Sequence, residues 1–452
     1  MAVQRHVFLH TQVELKNIAS DILRYAKTLG ATNAATEISE GDGLSVLVRR
    51  GEVETIEQNR DKMIGVSLLI GKKLGNASTS DFSPAALRDT VAAAYNIARF
   101  TAEDNCSGLA EAELLEMHPM DLDLFHPWDL CTEDAVEIAR RAEQAAFDTD
   151  PRICNTEGAN VSVQHSQFVM ATSHSFIAGY PYSRHGISCA PIAGSGQQMQ
   201  RDDWYMMRRC AAELDMPEAI GRYAAKRALA RLGSRRLNTR RCPVLFEAPL
   251  AVSILDAFVQ ATSGGALYRK MSFLTDSYGK SIFAPHVQIH EDPYIPRGLG
   301  SVPFDREGVR TARREVVRDG VVQGYFLSTY SARKLGLKTT GNAGGPHNLL
   351  LTSTITGEDD DFQAMLQKLG TGLLLTELMG QGVNFVTGDY SRGASGFWVE
   401  NGQIQYPVEE ITVSSTLQQM FSQIVAIGND RIVRGTKETG SVLIEHMTIA
   451  GQ

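Results

Sequence analysis

Phe397-Trp-Val-Glu-Asn-Gly-Gln-Ile404 and Glu315-Val-Val-Arg-Asp-Gly-Val-Val-Gln323 each set Asn-Gly or Asp-Gly between alternating runs. Those dipeptides accept the positive φ that a two-residue turn needs, so both stretches predict β-hairpins. They make the second half of the chain mostly β. Helices are expected there near Ala251–Thr262, closed by Ser-Gly-Gly, and near Asp361–Leu369, closed by Gly370.

Working back from the hairpins, Gly233-Ser-Arg-Arg-Leu-Asn-Thr-Arg-Arg-Cys242 is short, basic and poor in apolar residues. It reads as the main domain boundary, and its arginines as a solvated linker rather than a nucleic-acid patch. Before it, helices and strands mix. Thr11-x-x-Glu14 is a capping box that opens a helix stopped by Gly30. Ser83-Pro84, Thr132 and Met216-Pro217 open three more. Strands are expected at 45–49, 53–57 and 64–70, and a meander over 160–191. The fold expected is α+β: an N-terminal mixed region, 1–235, with room for two subdomains at about 1–110 and 120–235. A mainly antiparallel β domain, 236–452, with a few helices, follows.

The chain has 452 residues, of which 43% are hydrophobic and 21% charged. That fits a globular protein large enough to fold without a metal or disulfide staple. A net charge of −8 argues against a general nucleic-acid binder. The six cysteines form no C-x-x-C pair, which suits a reducing cytosol. The first ten residues hold too short an apolar run for a signal peptide, and no stretch has the ~18 apolar residues of a membrane span. The expected location is the cytoplasm.

Several catalytic motifs fail. Gly65-Val-Ser-Leu-Leu-Ile-Gly71-Lys-Lys73 has one residue too many between its glycines, and a lysine where a phosphate loop needs Ser or Thr. Gly298-x-Gly300 and Gly380-x-Gly382 lack a third glycine. His286-Val-Gln-Ile-His290 alternates as a strand does. Its two histidines then stand about 13 Å apart at ~3.3 Å per residue, too far to share an ion. Two polar, glycine-rich stretches remain as candidate contact loops for substrate or partner. One carries Asn342, Gly344, Gly345, His347 and Asn348. The other, 387–396, carries Thr387, Asp389, Ser391, Arg392 and Ser395. An open strand edge beside the second could take an extended peptide.

Taken together, Phe246-Glu-Ala, Ala261-Thr-Ser-Gly-Gly-Ala-Leu-Tyr-Arg-Lys-Met-Ser-Phe-Leu274, Asn342-Ala-Gly-Gly-Pro-His-Asn348, Thr387-Gly-Asp-Tyr-Ser-Arg-Gly-Ala-Ser-Gly-Phe-Trp398 and Ile427-Gly-Asn-Asp430 resemble the TldD/PmbA family, and its PmbA (TldE) branch most. The resemblance covers nearly the whole chain. It implies a cytoplasmic metallopeptidase system that processes or degrades peptides, in a family first named for effects on DNA gyrase and on microcin maturation. The TldD branch carries H-E-x-x-x-H on a helix, and a later cysteine completes its metal site.

This sequence departs from that pattern. Asp256, Ala257 and Ala261 occupy the ligand and base positions of the motif, and a slip of a residue or two restores no histidine. No cysteine follows Cys242. Zinc needs three protein donors and an open position to activate water. The resemblance therefore implies a non-catalytic subunit, without a cofactor of its own, paired with a zinc-bearing TldD-like chain and helping to hold an unfolded peptide. A homodimer of the isolated chain stays open. So do two other readings: a non-enzymatic modulator of DNA gyrase or of a toxin–antitoxin component, and a metallopeptidase active alone through His286, His290, His347 or His446.

Overall fold

The computed structural model describes residues 8–451. The segment before Phe8, where the signal-peptide reading chiefly falls, lies outside them. The N-terminal region contains helices α1 (Gln12–Thr28), α2 (Pro84–Phe100), α3 (Thr132–Phe147) and α4 (Pro217–Ala230). Its strands are β1 (Asn33–Arg49), β2 (Glu52–Ile70), β3 (Lys73–Thr79), β4 (Ile153–Thr172), β5 (Ile177–Ala193), β6 (Gln200–Arg201) and β7 (Trp204–Arg208). They form one antiparallel sheet in the order β3-β2-β1-β4-β5-β6, with β7 also on β5.

The helix starts follow from capping. Thr11 and Glu14 close a reciprocal box on α1, and Ser83 caps α2 with Pro84 in its first turn. On α3 the cap is the Cys131 thiol rather than Thr132, which is the first helical residue. All four helices lie on one face of the sheet. At one end Ala34 and Ile38 of β1 pack under α1 and α2. At the other, Val46 and Val48 pack under α3 and α4. These positions share the parity that puts them on one side of a strand. The α3–α4 contact needs Gly221, because a Cβ there would stand 1.8 Å from the Ala142 carbonyl oxygen.

The strands are far longer than the sequence suggests. Segments 45–49, 53–57 and 64–70 are parts of a single hairpin, β1–β2, turning at Arg50-Gly51. The polar run between them hid the continuity: Glu52–Asp61 is exposed throughout, so no buried face imposes alternation on it. Likewise the expected meander over 160–191 is one long hairpin, β4–β5.

The C-terminal region opens with β8 (Arg240–Phe246), α5 (Ala248–Thr262), α6 (Gly264–Tyr268) and β9 (Val287–Glu291). It continues through β10 (Arg314–Arg318), β11 (Val321–Val322), α7 (Thr329–Leu335), β12 (Leu349–Ser353), α8 (Phe362–Leu369), β13 (Gly372–Met379), β14 (Asp389–Glu400) and β15 (Gln403–Thr416). It ends with α9 (Leu417–Ser422), β16 (Ile424–Ile427), β17 (Ile432–Arg434), β18 (Lys437–Thr439) and β19 (Val442–Ala450). Two six-stranded sheets result, ordered β11-β10-β9-β12-β18-β17 and β15-β14-β13-β8-β19-β16. Both are antiparallel except for β12–β18 and β8–β13. The second curls until β15 meets β19. Apolar side chains of both sheets enclose α5, with Phe246, Phe258 and Phe421 fully buried. The molecule is α+β. Both hairpin dipeptides turn as read, with positive φ at Asp319-Gly320 and Asn401-Gly402.

One reading is corrected. Residues 389–396 are not a loop beside an open edge. They belong to β14, paired with β15 from Asp389 onward and with β13 from Gly393 onward. Glycines at 393 and 396 suggested a loop, but they serve close strand packing: a Cβ on Gly396 would lie 1.9 Å from the Leu374 carbonyl oxygen.

Candidate functional site

α5 is the helix on which the sequence places the degenerate metal motif. Its buried stripe comprises Ala251, Ile254, Leu255, Phe258, Ala261 and Thr262. Ala257 is 6% exposed and Ala261 fully buried, so both motif positions point into the core. Only Asp256 and Gln260 face outward. A one-residue slip moves Leu255 and Gln260 into the histidine places, and neither can donate an imidazole. Asp256 is paired instead: its Oδ1 lies 2.7 Å from Nζ of Lys437 on β18. The sequence offered no signal for that lysine, because β18 is three residues long and follows a turn. Among the described residues no three His, Cys, Asp or Glu side chains gather closely enough to hold an ion.

The glycine loop 342–348 is organised around Glu291, at the end of β9. Glu291 is 2% exposed, and its Oε2 accepts from Arg314 Nε at 2.5 Å. Its Oε1 accepts from Asn342 Nδ2 at 2.8 Å and from the His347 amide at 2.7 Å. Arg314 also donates to Asn342 Oδ1 at 2.9 Å. The His347 ring donates through Nε2 to the Gly341 carbonyl, and burial pushes its pKa down, partly offset by Glu291. Asn348 Nδ2 donates to the Asp292 carbonyl at 2.7 Å and to Ser301 Oγ at 2.8 Å, and its Oδ1 accepts from the Gly300 amide. Asn342 and His347 are thus buried, with their polar groups spent inside the fold. Gly344 and Gly345 carry the loop past them at positive φ. An acid at the end of an otherwise apolar strand, Val287 to Glu291, was the available signal for this network.

The other five sequence candidates lie on or just before β14. Thr387, Asp389 and Ser391 are exposed, with Thr387 Oγ1 donating to Asp389 Oδ2 at 2.6 Å. Arg392 is half-buried, reaching the Leu378 carbonyl at 3.4 Å, and Ser395 is buried at an irregularity of the strand pair. Beside Arg392 the Tyr390 hydroxyl is buried without a hydrogen-bond partner, and burial pushes its pKa up to about 12. The loop 342–348 and the start of β14 therefore contribute differently. The first is internal scaffolding. The second presents a short polar strip to solvent.

The basic stretch that leads into β8 is engaged too. Arg235 lies over the Tyr406 ring, Arg240 over Trp398, and Arg236 pairs with Glu410. Just before it, Arg231 is held by Asp202 and Glu377, and Arg227 binds Glu247 through both terminal nitrogens. These contacts lay the linker along the C-terminal sheet. Among the described residues, no helix is long and apolar enough to cross a membrane.

Three successive segments match the domains described for the PmbA/TldA metallopeptidases: domain 1 over residues 36–98, the central domain over 125–232 and the C-terminal domain over 239–451. The metalloprotease PmbA of Escherichia coli O157:H7 is 47% identical over 419 residues, covering 93% of this chain and 92% of that one. The metalloprotease PmbA homolog of Haemophilus influenzae is 43% identical over 438 residues, covering 97% and 96%. Among solved structures, a Thermotoga maritima protein proposed to modulate a DNA gyrase superposes with a TM-score of 0.87 at 25% identity, covering 96% of this chain and 100% of that one. TldE from Thermococcus kodakarensis shares the fold, with a TM-score of 0.84 at 17% identity and coverage of 96% and 100%.

Proposed function

This chain belongs to the PmbA/TldA metallopeptidase family, and from that premise we propose that it is the non-catalytic subunit of a cytoplasmic peptide-processing metallopeptidase. A TldD-like partner supplies the zinc. This chain completes the chamber and helps to hold the unfolded peptide.

The observation that carries this reading is the outer face of α5. Where the motif needs two imidazoles and a general base, the helix offers an aspartate tied to Lys437, two core alanines and a glutamine. A carboxylate and an amide cannot assemble the three-donor site that lowers the pKa of a zinc-bound water. Two of the histidines that could replace them are already engaged. His286 bonds Ser353 Oγ and the Ile424 carbonyl through its two ring nitrogens, and His347 is buried on Gly341. The exposed side chains of Thr387, Asp389 and Ser391 are where this subunit meets peptide or partner.

Metal analysis and a peptide assay on the purified chain test this. The expected result is no stoichiometric zinc and no peptidase activity alone, with activity on adding a TldD-like chain. One tightly held zinc per chain, together with cleavage by the isolated protein, would overturn it.

A further inference from the structure

On the face of the N-terminal sheet turned away from its helices, β4, β5 and β7 form a cavity of about 330 Å³. The pairing register accounts for it. Asn160 stands opposite Ser188 and Ser162 opposite Gly186, while β7 sets Met207 against Gly186 and Tyr205 against Ser188. Residues directly opposite one another share a face. The floor is therefore two serines and a glycine, with Met207 and Tyr205 beside them. A Cβ on Gly186 would stand 3.0 Å from Ser162 Oγ, so a side chain there would fill the hollow.

At one end this face carries positive charge without a counterion. β7 stops at Arg208, opposite His185, so Arg209 falls beside Arg184 of β5. Arg209 is only 5% exposed. Its guanidinium donates to the carbonyls of Ser183, Gly298 and Leu299 at 3.2, 3.0 and 3.0 Å. Carbonyl dipoles hold a buried cation but do not neutralise it. Among the described residues neither Arg209 nor Arg184 pairs with a carboxylate, and the charges that Arg209 feels are those of Arg184, Tyr180 and Tyr182. Burial, with Arg184 adding to it, lowers the Arg209 pKa to about 10. Arg184 is exposed and lies two residues from Gly186, on the cavity side of the strand. Two neighbouring guanidiniums without an acid favour an anion between the cavity and the solvent. The other end is already balanced, because Arg201 is held by Glu157 and Asp203.

We propose that this cavity receives a short extended peptide whose carboxylate lies on Arg184, with Arg209 fixing a second positive charge behind it. The inference rests on the peptide-holding role given above and names the group that is held. That group is the carboxylate of a free C-terminus or of an acidic side chain.

Fluorescence anisotropy of the purified full chain with three labelled hexapeptides of glycine, serine and alanine tests this. One ends in a free carboxylate, one in an amide, and the third carries a glutamate ahead of the amide. A peptide with a carboxylate is expected to bind about tenfold or more tightly than the plain amide. Gain by the free acid alone assigns the site to C-termini, and gain by the glutamate peptide admits acidic side chains. Arg184→Gln is expected to erase the preference and Arg184→Lys to keep part of it. Ser188→Leu, which fills the cavity, should weaken all three peptides alike. Circular dichroism checks that these surface variants keep the fold. Equal binding of all three peptides overturns the proposal. So does an absence of binding, or a preference that survives Arg184→Gln. The measurement needs neither zinc nor a partner, so a chain that fails it while metal-free and inert alone leaves the subunit reading standing.

Discussion

Under the N-terminal helices, His165 and His185 lie buried in the polar band between the two apolar ends of the sheet. Their rings meet edge to face at 5.4 Å between centroids. His165 Nε2 accepts from the Trp128 amide, and His185 Nε2 donates to the His126 carbonyl. His185 Nδ1 is left buried without a partner. In the C-terminal region, Glu291 is equally buried, yet both its oxygens are occupied by Arg314, Asn342 and the His347 amide. The first arrangement stays neutral to avoid the cost of burial. The second fills both its oxygens with donors. Each therefore fails in its own way, the first by gaining a proton and the second by losing a partner.

The sharpest way to break the comparison is to remove one member of the C-terminal network. Glu291→Ala strands the Arg314 guanidinium and frees the loop that carries Asn342 and His347. It should cost about 3–5 kcal/mol in urea unfolding, as the loss of one partner of a buried ion pair does. A cost under about 1 kcal/mol would place Glu291 with the exposed ion pairs and remove the distinction.

Acid probes the other region. Burial depresses His165 to about 4, with His185 adding to the shift, and burial lowers His185 as well. A histidine whose folded pKa is depressed binds its proton more readily when unfolded. Its contribution is complete above about pH 6.5 and is lost as pH falls toward 4. Roughly 2 kcal/mol should disappear over that window. The C-terminal region pulls the other way. Burial raises Asp305 to about 7 against three backbone N–H bonds that favour its charge. Its folded form gains relative stability as pH falls below 7. Urea midpoints from pH 7 to 4, compared between the wild type and His165→Gln, separate the two. The fall due to the histidine should shrink in the variant. Equal slopes in both would show that the N-terminal band does not titrate.

The same contrast explains what the sequence made legible. Signals that depend on a few neighbouring residues were readable: the Thr11–Glu14 box, the Ser83-Pro84 start, and the Asp319-Gly320 and Asn401-Gly402 turns. That α5 carries no histidine was plain from the residues, and the resemblance supplied the motif that made its absence matter. Signals that depend on distant partners were not. The polar length of β1–β2 takes its conformation from β4, more than a hundred residues away. The glycines of β14 read as loop residues because their reason, the approach of β13, lies across the sheet. His347 read as a substrate or partner contact in a glycine-rich loop, and only the fold shows its ring turned inward onto the Gly341 carbonyl. Lys437 has no local signature at all, and its role at α5 follows from where β18 lands.

The smallest effect concerns that lysine, and its asymmetry is the informative part. Asp256 has 57% of its side chain exposed and Lys437 only 16%. Removing Lys437 leaves a carboxylate already in water, so Lys437→Ala should cost a few tenths of a kcal/mol beyond the packing of its stem. Removing Asp256 leaves a mostly covered ammonium without its anion, so Asp256→Ala should cost more, up to about 1 kcal/mol. Thermal unfolding of both variants and of the double variant resolves the order. If the double variant is no worse than Asp256→Ala, the carboxylate is there to neutralise the lysine. The outer face of α5 then keeps its acid for electrostatics with β18, which sets it beside the C-terminal network as a weaker version of the same device. An inverted order, with Lys437→Ala the costlier, would mean that the lysine packs rather than pairs.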